Sequence, residues 1–190
     1  MTGLVAPKLA FYFAIYKDEP LALRLAQQIR TFYPASEIVA ILDGESSEGT
    51  SLTQQLSALD VVVVCDRHLK QSGMGGSAAH RNLKAVLDHT TADTMIQLDP
   101  DSYILKPFSS IPDAPWFGQI HVARCSWYPV KPMICVHGAA WGMQREVARL
   151  VVKSKALLNP DYCHSKTLWQ YRLKRDSNRW VPRLDLICGA

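Results

Sequence analysis

The stretch LAFYFAIY, Leu9 to Tyr16, is apolar at every position. A strand with one wet face would alternate, so a run like this predicts a strand buried on both faces. Such strands belong to parallel sheets covered by helices on either side. The neighbouring sequence agrees. Glu19 to Phe32 carries Leu21, Leu25, Ile29 and Phe32 at helical spacing, with an acid at its start, Arg30 near its end and Pro34 beyond it. EIVAIL (Glu37 to Leu42) predicts a second buried strand, DGESSEGTS a loop, and Leu52 to Leu59 a short helix. VVVVC (Val61 to Cys65) predicts a third strand. A loop with three glycines then leads to Ser77, a fitting N-cap for a helix from Ala78 to His89 that turns Leu83, Val86 and Leu87 inward. Thr94 to Leu98 predicts a fourth strand. Strand and helix in strict alternation predict an α/β sandwich, with a mainly parallel central sheet, right-handed crossovers and flanking helices.

The second half is less regular. It predicts strands near Gln119–Cys125 and Met133–Val136, helices over Gln144–Leu158 and Asp161–Arg175, and a last strand LDLIC, Leu184 to Cys188. With 190 residues, 48% hydrophobic and 20% charged, the chain can bury a full core as one domain. A net charge of +4 is mild, and no basic stripe is interleaved with stacking aromatics, which argues against nucleic acid as a partner. The segment from Lys166 to Arg183, with Arg172, Lys174, Arg175 and Arg179, reads as a solvated face or as a contact for phosphate or an anionic membrane. Five dispersed cysteines without a C-x-x-C pair predict buried thiols in a reducing cytoplasm. Leu9 to Tyr16 is too short to span a bilayer, and no leader cleavage pattern follows it.

Ligands of parallel sheets bind beyond the carboxyl ends of the strands, and three features fall there. Asp99-Pro100-Asp101 sets two carboxylates together at the mouth of a buried strand. Like charges that close repel unless a cation or hydrogen bonds compensate them, and hard oxygens suit Mg²⁺ or Mn²⁺ shared with a substrate diphosphate. The competing reading is a turn bent by Pro100. Asp43-Gly44 closes the second strand, either to accept a donor from a nucleotide or as a simple Asp-Gly turn. GMGGSA, Gly73 to Ala78, mimics a dinucleotide fingerprint but follows the third strand, so it reads as a loop or a cradle of N–H groups for phosphate. Arg81, in the first turn beyond it, is placed to reach an anionic ligand. His137-Gly138 and Trp141-Gly142 suggest a wall where a ligand nears the backbone; Trp141 offers a sugar-stacking face or is a core residue. Asp161 opens its helix after Asn159-Pro160, as an N-terminal charge or as a base.

In this order the segments resemble the GT-A-type nucleotide-diphospho-sugar glycosyltransferases, especially their family 2-like branch. YKDEPLALRLAQQI, EIVAILDGESSEGT, GMGGSAAHRNLKAV and TMIQLDPDSYILKPF are similar to that family's first strand end, second strand, Gly-rich helix start, and strand with D-x-D and a following strand. Beyond Phe108, HGAAWGMQREVARLV and NPDYCHSKTLWQYRLKR resemble its acceptor-side segment and catalytic-acid helix. The resemblance implies a single GT-A-like domain, residues 9–108 being the nucleotide-sugar half and 109–190 the acceptor half. It implies a cytoplasmic glycosyltransferase that uses Mn²⁺ or Mg²⁺ and a nucleoside-diphosphate sugar, a UDP-sugar first, acting on a glycan or lipid-linked acceptor. Asp43 would meet the base, Arg81 the nucleotide or its phosphates, Asp99 the ribose and metal, and Asp101 the metal directly; the wall read above adds His137 and Trp141 as candidates for the sugar or acceptor. Asp161 would be the general base, although Pro160 stands where the family usually has Glu. A non-catalytic GT-A-like domain is the alternative. A nucleotidyltransferase would want a Gly-rich basic loop after the first strand, which Tyr16 to Pro20 lacks.

Overall fold

The computed structural model describes residues 8–16, 18–43, 51–66, 76–123 and 133–155, with 43, 76–77, 119–123 and 133–139 described by their backbone alone. Within these residues the chain runs β1 (Leu9–Ile15), α1 (Glu19–Phe32), β2 (Glu37–Asp43), α2 (Ser51–Ser57), β3 (Val61–Asp66), α3 (Gly76–His89), β4 (Thr94–Leu98), β5 (Trp116–Ala123), β6 (Met133–Gln144) and α4 (Arg145–Ser154). The strands form one six-stranded sheet in the order β3-β2-β1-β4-β6-β5. β3, β2, β1 and β4 are parallel, as expected from the alternation. β6 runs antiparallel to β4, and β5 antiparallel to β6.

The all-apolar character of β1 follows from its place inside this sheet. Successive side chains of a strand point to opposite faces. Phe11, Phe13 and Ile15 join Ile38, Ala40 and Leu42 of β2 under Leu25 and Ile29 of α1 and Leu56 of α2. Ala10 and Tyr12 join Val39 and Ile41 on the other side, under Leu83 and Val86 of α3 and Ala148 of α4. Both faces of the strand are core, which is why its sequence does not alternate between apolar and polar residues.

Helix ends are tied down by arginines. Arg30, in the last turn of α1, donates to the carbonyls of Pro34 (2.8 Å), Ser36 (2.9 Å), Leu59 (3.0 Å) and Asp60 (3.2 Å). It thereby joins the α1–β2 turn to the α2–β3 turn, where Asp60 holds a φ of 55°. Arg145, the first residue of α4, donates to Leu87 O at 3.0 Å, one of the carbonyls that the end of α3 leaves without a helical partner. At the amino ends of the parallel strands, Glu37 accepts from the N–H groups of Thr91 (2.7 Å) and Ala92 (3.0 Å) and from the Thr91 hydroxyl (2.8 Å), and pairs with Lys8. Burial opposes the Glu37 charge, but Lys8 and these donors outweigh it and hold its carboxyl below the usual range.

Four expectations need correction. β6 does not stop at Val136 but continues to Gln144, and β5 begins at Trp116, so the glycine pairs at 138 and 142 lie inside a strand. The reason is visible at Gly142. A Cβ there would sit 2.3 Å from Cζ of Phe117, so the glycine admits a neighbouring ring. The strand that the resemblance implies after the D-x-D is not formed over Tyr103–Leu105; the chain turns after β4 and runs as irregular backbone, with Ile104 buried and Tyr103 and Leu105 exposed. α3 begins at Gly76, which puts Ser77 inside the helix and not at its cap. α4 ends at Ser154, where Lys155 adopts a left-handed φ of 54° and donates its N–H to Val152 O. The expected Asp161–Arg175 helix and the LDLIC strand lie outside the described residues.

Candidate functional site

The register of the sheet brings the predicted carboxylates to one edge. Val39, Tyr12 and Gln97 lie level across β2, β1 and β4. Asp43, four residues beyond Val39, closes β2, and Asp66 at the end of β3 is its register partner. Asp99, two residues beyond Gln97, leaves β4. With strands about 4.8 Å apart, β2 and β4 run about 10 Å apart on either side of β1, and Asp43 lies two residues further along its strand than Asp99 lies beyond Gln97.

At the end of β4 the chain makes a tight turn, in which the Ser102 N–H donates to the Asp99 carbonyl at 2.9 Å. Pro100 is the first central residue of that turn, where its fixed φ is favoured. The turn reading and the carboxylate-pair reading are thus compatible, because the bend places both acids beyond the sheet. Asp99 is half-buried and Asp101 exposed. Gln97 Nε2 lies 3.5 Å from Asp99 Oδ1, a long contact that orients more than it binds. No group of three or more metal-ligating side chains occurs among the described residues. A divalent ion bound with a diphosphate does not require one, because phosphate oxygens and water complete its shell beside one or two carboxylates. An exposed and a half-buried carboxylate on one turn fit that donor set.

Arg81 projects from α3 toward the same edge. Its Nε donates to Asp66 Oδ2 at 2.7 Å, with the Arg81 side chain 34% exposed and that of Asp66 14%. The preceding residue, His80, is held below the ordinary imidazole range by burial and by the charges of Lys155, Arg81 and Lys84. Arg81 is therefore the positive group of this turn at neutral pH. The sequence pattern ends the third strand at Cys65, yet Asp66 closes β3 as Asp43 closes β2.

The remaining predicted residues are dispersed. Trp141 is 4% exposed, with Tyr12 edge-on at 5.9 Å and Trp116 at 5.5 Å between ring centroids. Enclosed in this way it is a core residue without an open face for a sugar, which corrects the stacking role. His137 lies on β6, described by its backbone alone, and Asp161 lies outside the described residues. Two residues that the sequence did not flag bear on the site. Arg24 of α1 reaches the turn after β4, and Gln28 accepts from the Ile104 N–H at 3.3 Å.

No known family's sequence pattern matches the chain, and no curated protein sequence does. Solved structures do match it in shape. The mannosyltransferase PcManGT from Pyrobaculum calidifontis, determined with GDP-Man and Mn²⁺, overlaps 77% of this chain with a TM-score of 0.52 at 17% identity. Glucosyl-3-phosphoglycerate synthase from Mycobacterium tuberculosis, determined with uridine-diphosphate, overlaps 74% with a TM-score of 0.45 at 14% identity. The chain spans about half the length of these proteins, 47% and 57% respectively. No helix among the described residues is long and apolar enough to cross a membrane. The architecture is that of the GT-A glycosyltransferases, matched in structure and not in sequence.

Proposed function

We propose that this chain is a metal-dependent glycosyltransferase that takes its sugar from a nucleoside-diphosphate sugar, with a UDP-sugar as the first donor to test. The observation that carries the reading is the Asp99–Asp101 turn at the carboxyl end of β4, which leaves the sheet at the same edge as the acids that close β2 and β3. Asp101, the exposed member, would be the direct ligand of Mn²⁺ or Mg²⁺, and Asp99 would serve the ribose and the metal. A bound divalent ion would offset the negative charge that grows on the departing diphosphate. Asp43 would select the base. Arg81, steadied by Asp66 and still a third exposed, would face the nucleotide or its phosphates. His137 is retained as a candidate on the acceptor side. Asp161 would take the proton of the acceptor hydroxyl as it attacks the anomeric carbon and the nucleoside diphosphate leaves; such a single displacement inverts that carbon, and retention is the outcome expected if Asp161 is not the base.

The test is calorimetry of UDP and of GDP, each with and without Mn²⁺, on the wild-type chain and Asp101→Asn. The expected result is nucleotide affinity that depends on Mn²⁺ and falls at least about tenfold in Asp101→Asn, the lower end of what metal-site substitutions cost. Equal binding by Asp101→Asn, or no binding of either nucleotide, would sink the proposal. Mn²⁺-dependent binding with no turnover of any donor would instead favour a binding domain over an enzyme.

A further inference from the structure

Asp101 is exposed on a turn, and an exposed carboxylate on a free loop would sample many positions. A metal–diphosphate site needs it in one. The turn is not left free, because the chain from 99 to 108 lies along one face of α1. The Arg24 guanidinium donates through Nη2 to the carbonyl oxygen of Ser102 at 3.3 Å, with that of Asp101 at 3.5 Å. Its carbon stands 4.4 Å from the centroid of the Tyr103 ring, the geometry of a cation–π contact. One turn further along α1, Gln28 accepts from the Ile104 N–H, and just past the helix the Tyr33 hydroxyl accepts from the Phe108 N–H. Spacing of four residues puts 24 and 28 on the same face. Among these contacts only those of Arg24 fall on the residue that bears the exposed carboxylate and on the one after it, and two carbonyls and a ring share its guanidinium.

Arg24 forms no ion pair with either aspartate; it binds the backbone. That distinction matters. A guanidinium bonded to the Asp101 carboxylate would compete with a cation, whereas one bonded to main-chain carbonyls fixes the turn and leaves the carboxylate oxygens available. The Arg24 Nε is buried with no partner among the described residues, a cost that a merely solvated arginine would avoid by turning outward. We propose that Arg24 is a positioning residue, which fixes the Asp99–Ser102 turn so that Asp101 meets a divalent ion carrying a nucleoside diphosphate. The inference rests on the donor-site reading above.

The experiment measures the Mn²⁺ enhancement, the ratio of UDP or GDP affinity with Mn²⁺ to that without, in the full chain. Arg24→Met keeps the length of the stem and removes the fork. Arg24→Lys keeps the charge but not the paired donors, and Tyr103→Ala removes the exposed ring and leaves the core untouched. The expected result is a loss of about tenfold in the enhancement for Arg24→Met, comparable to losing a group that orients a metal ligand. Arg24→Lys should fall between it and wild type, metal-free affinity should not change, and the Ser102–Leu105 amides should exchange faster with deuterium. A folded Arg24→Met with a lower melting point but the full enhancement would show a structural role only and overturn the inference, leaving the donor site standing. Should Arg24→Met fail to fold, unchanged enhancement in both Arg24→Lys and Tyr103→Ala would overturn it equally. A wild-type chain without Mn²⁺ enhancement would remove the donor-site reading itself and this inference with it.

Discussion

Gly142→Ala tests whether the glycines of β6 serve packing or a ligand. The added Cβ would stand 2.3, 2.4 and 3.0 Å from Cζ, Cε2 and Cε1 of Phe117, where carbon atoms prefer about 3.5–4.0 Å. The ring must therefore retreat by roughly 1 Å or swing outward. Gly142 itself lies between Ile96 and Phe117 in the register of the sheet, so the backbone has little room to give. Overpacking of this kind costs about 1–3 kcal/mol. Removing a glycine from a strand returns about 0.5–1 kcal/mol, and Phe117 is only half-buried, so the net loss should be about 1–2 kcal/mol. For a chain of this size each kcal/mol lowers the melting temperature by about 2–4 °C, which predicts a drop of about 2–8 °C. The assay is urea and thermal unfolding of Gly142→Ala, Phe117→Leu and the double variant. The penalty should nearly vanish when Phe117 is already Leu, because the interfering ring atoms are gone. An unchanged penalty in that background, or Gly142→Ala as stable as wild type, would refute the packing account. Lost nucleotide affinity at full stability would restore the ligand wall.

Three further outcomes follow from the same contacts. Glu37→Gln should lower stability at neutral pH and flatten its acid dependence: the folded carboxyl lies below its unfolded value, so its contribution is complete above about pH 4.3 and is lost as pH falls through the folded value, readable as urea midpoints between pH 3 and 7 that for the variant should barely respond to this group. Arg145→Met removes the donors to Leu87 O, Ala92 O and the Thr90 hydroxyl and should cost about 1–3 kcal/mol, with faster amide exchange at the end of α3; an unaffected α3 would show that those carbonyls find water instead. Trp141→Phe should lose about 1–3 kcal/mol as its contacts with Tyr12 and Trp116 shrink, with nucleotide affinity unchanged, and a selective loss of binding at full stability would return Trp141 to the site.

How far the sequence could be read depends on the distance over which each feature is decided. The parallel half was legible because its cause is local: β1 is apolar on both faces since both are covered, and α1 shows its buried stripe within fourteen residues. The Asp99–Asp101 turn was legible for the same reason, as strand, proline and two acids fall within one short stretch. The antiparallel half was not. β6 contains glycines that ordinarily end a strand, and only the Phe117 ring, from another strand, explains Gly142. Trp141 was ambiguous because an indole's identity says nothing of whether Tyr12 and Trp116 will close over it. Arg24 gave no signal at all. Its partners lie 77 and 78 residues away and are carbonyl oxygens, which every residue possesses. A motif therefore reveals the groups that touch a ligand, whose types chemistry restricts, and hides the groups that hold them, whose partners are backbone. On the positioning role proposed for Arg24, such a hidden group is what would make Asp101 one end of a donor site and not a wandering surface acid.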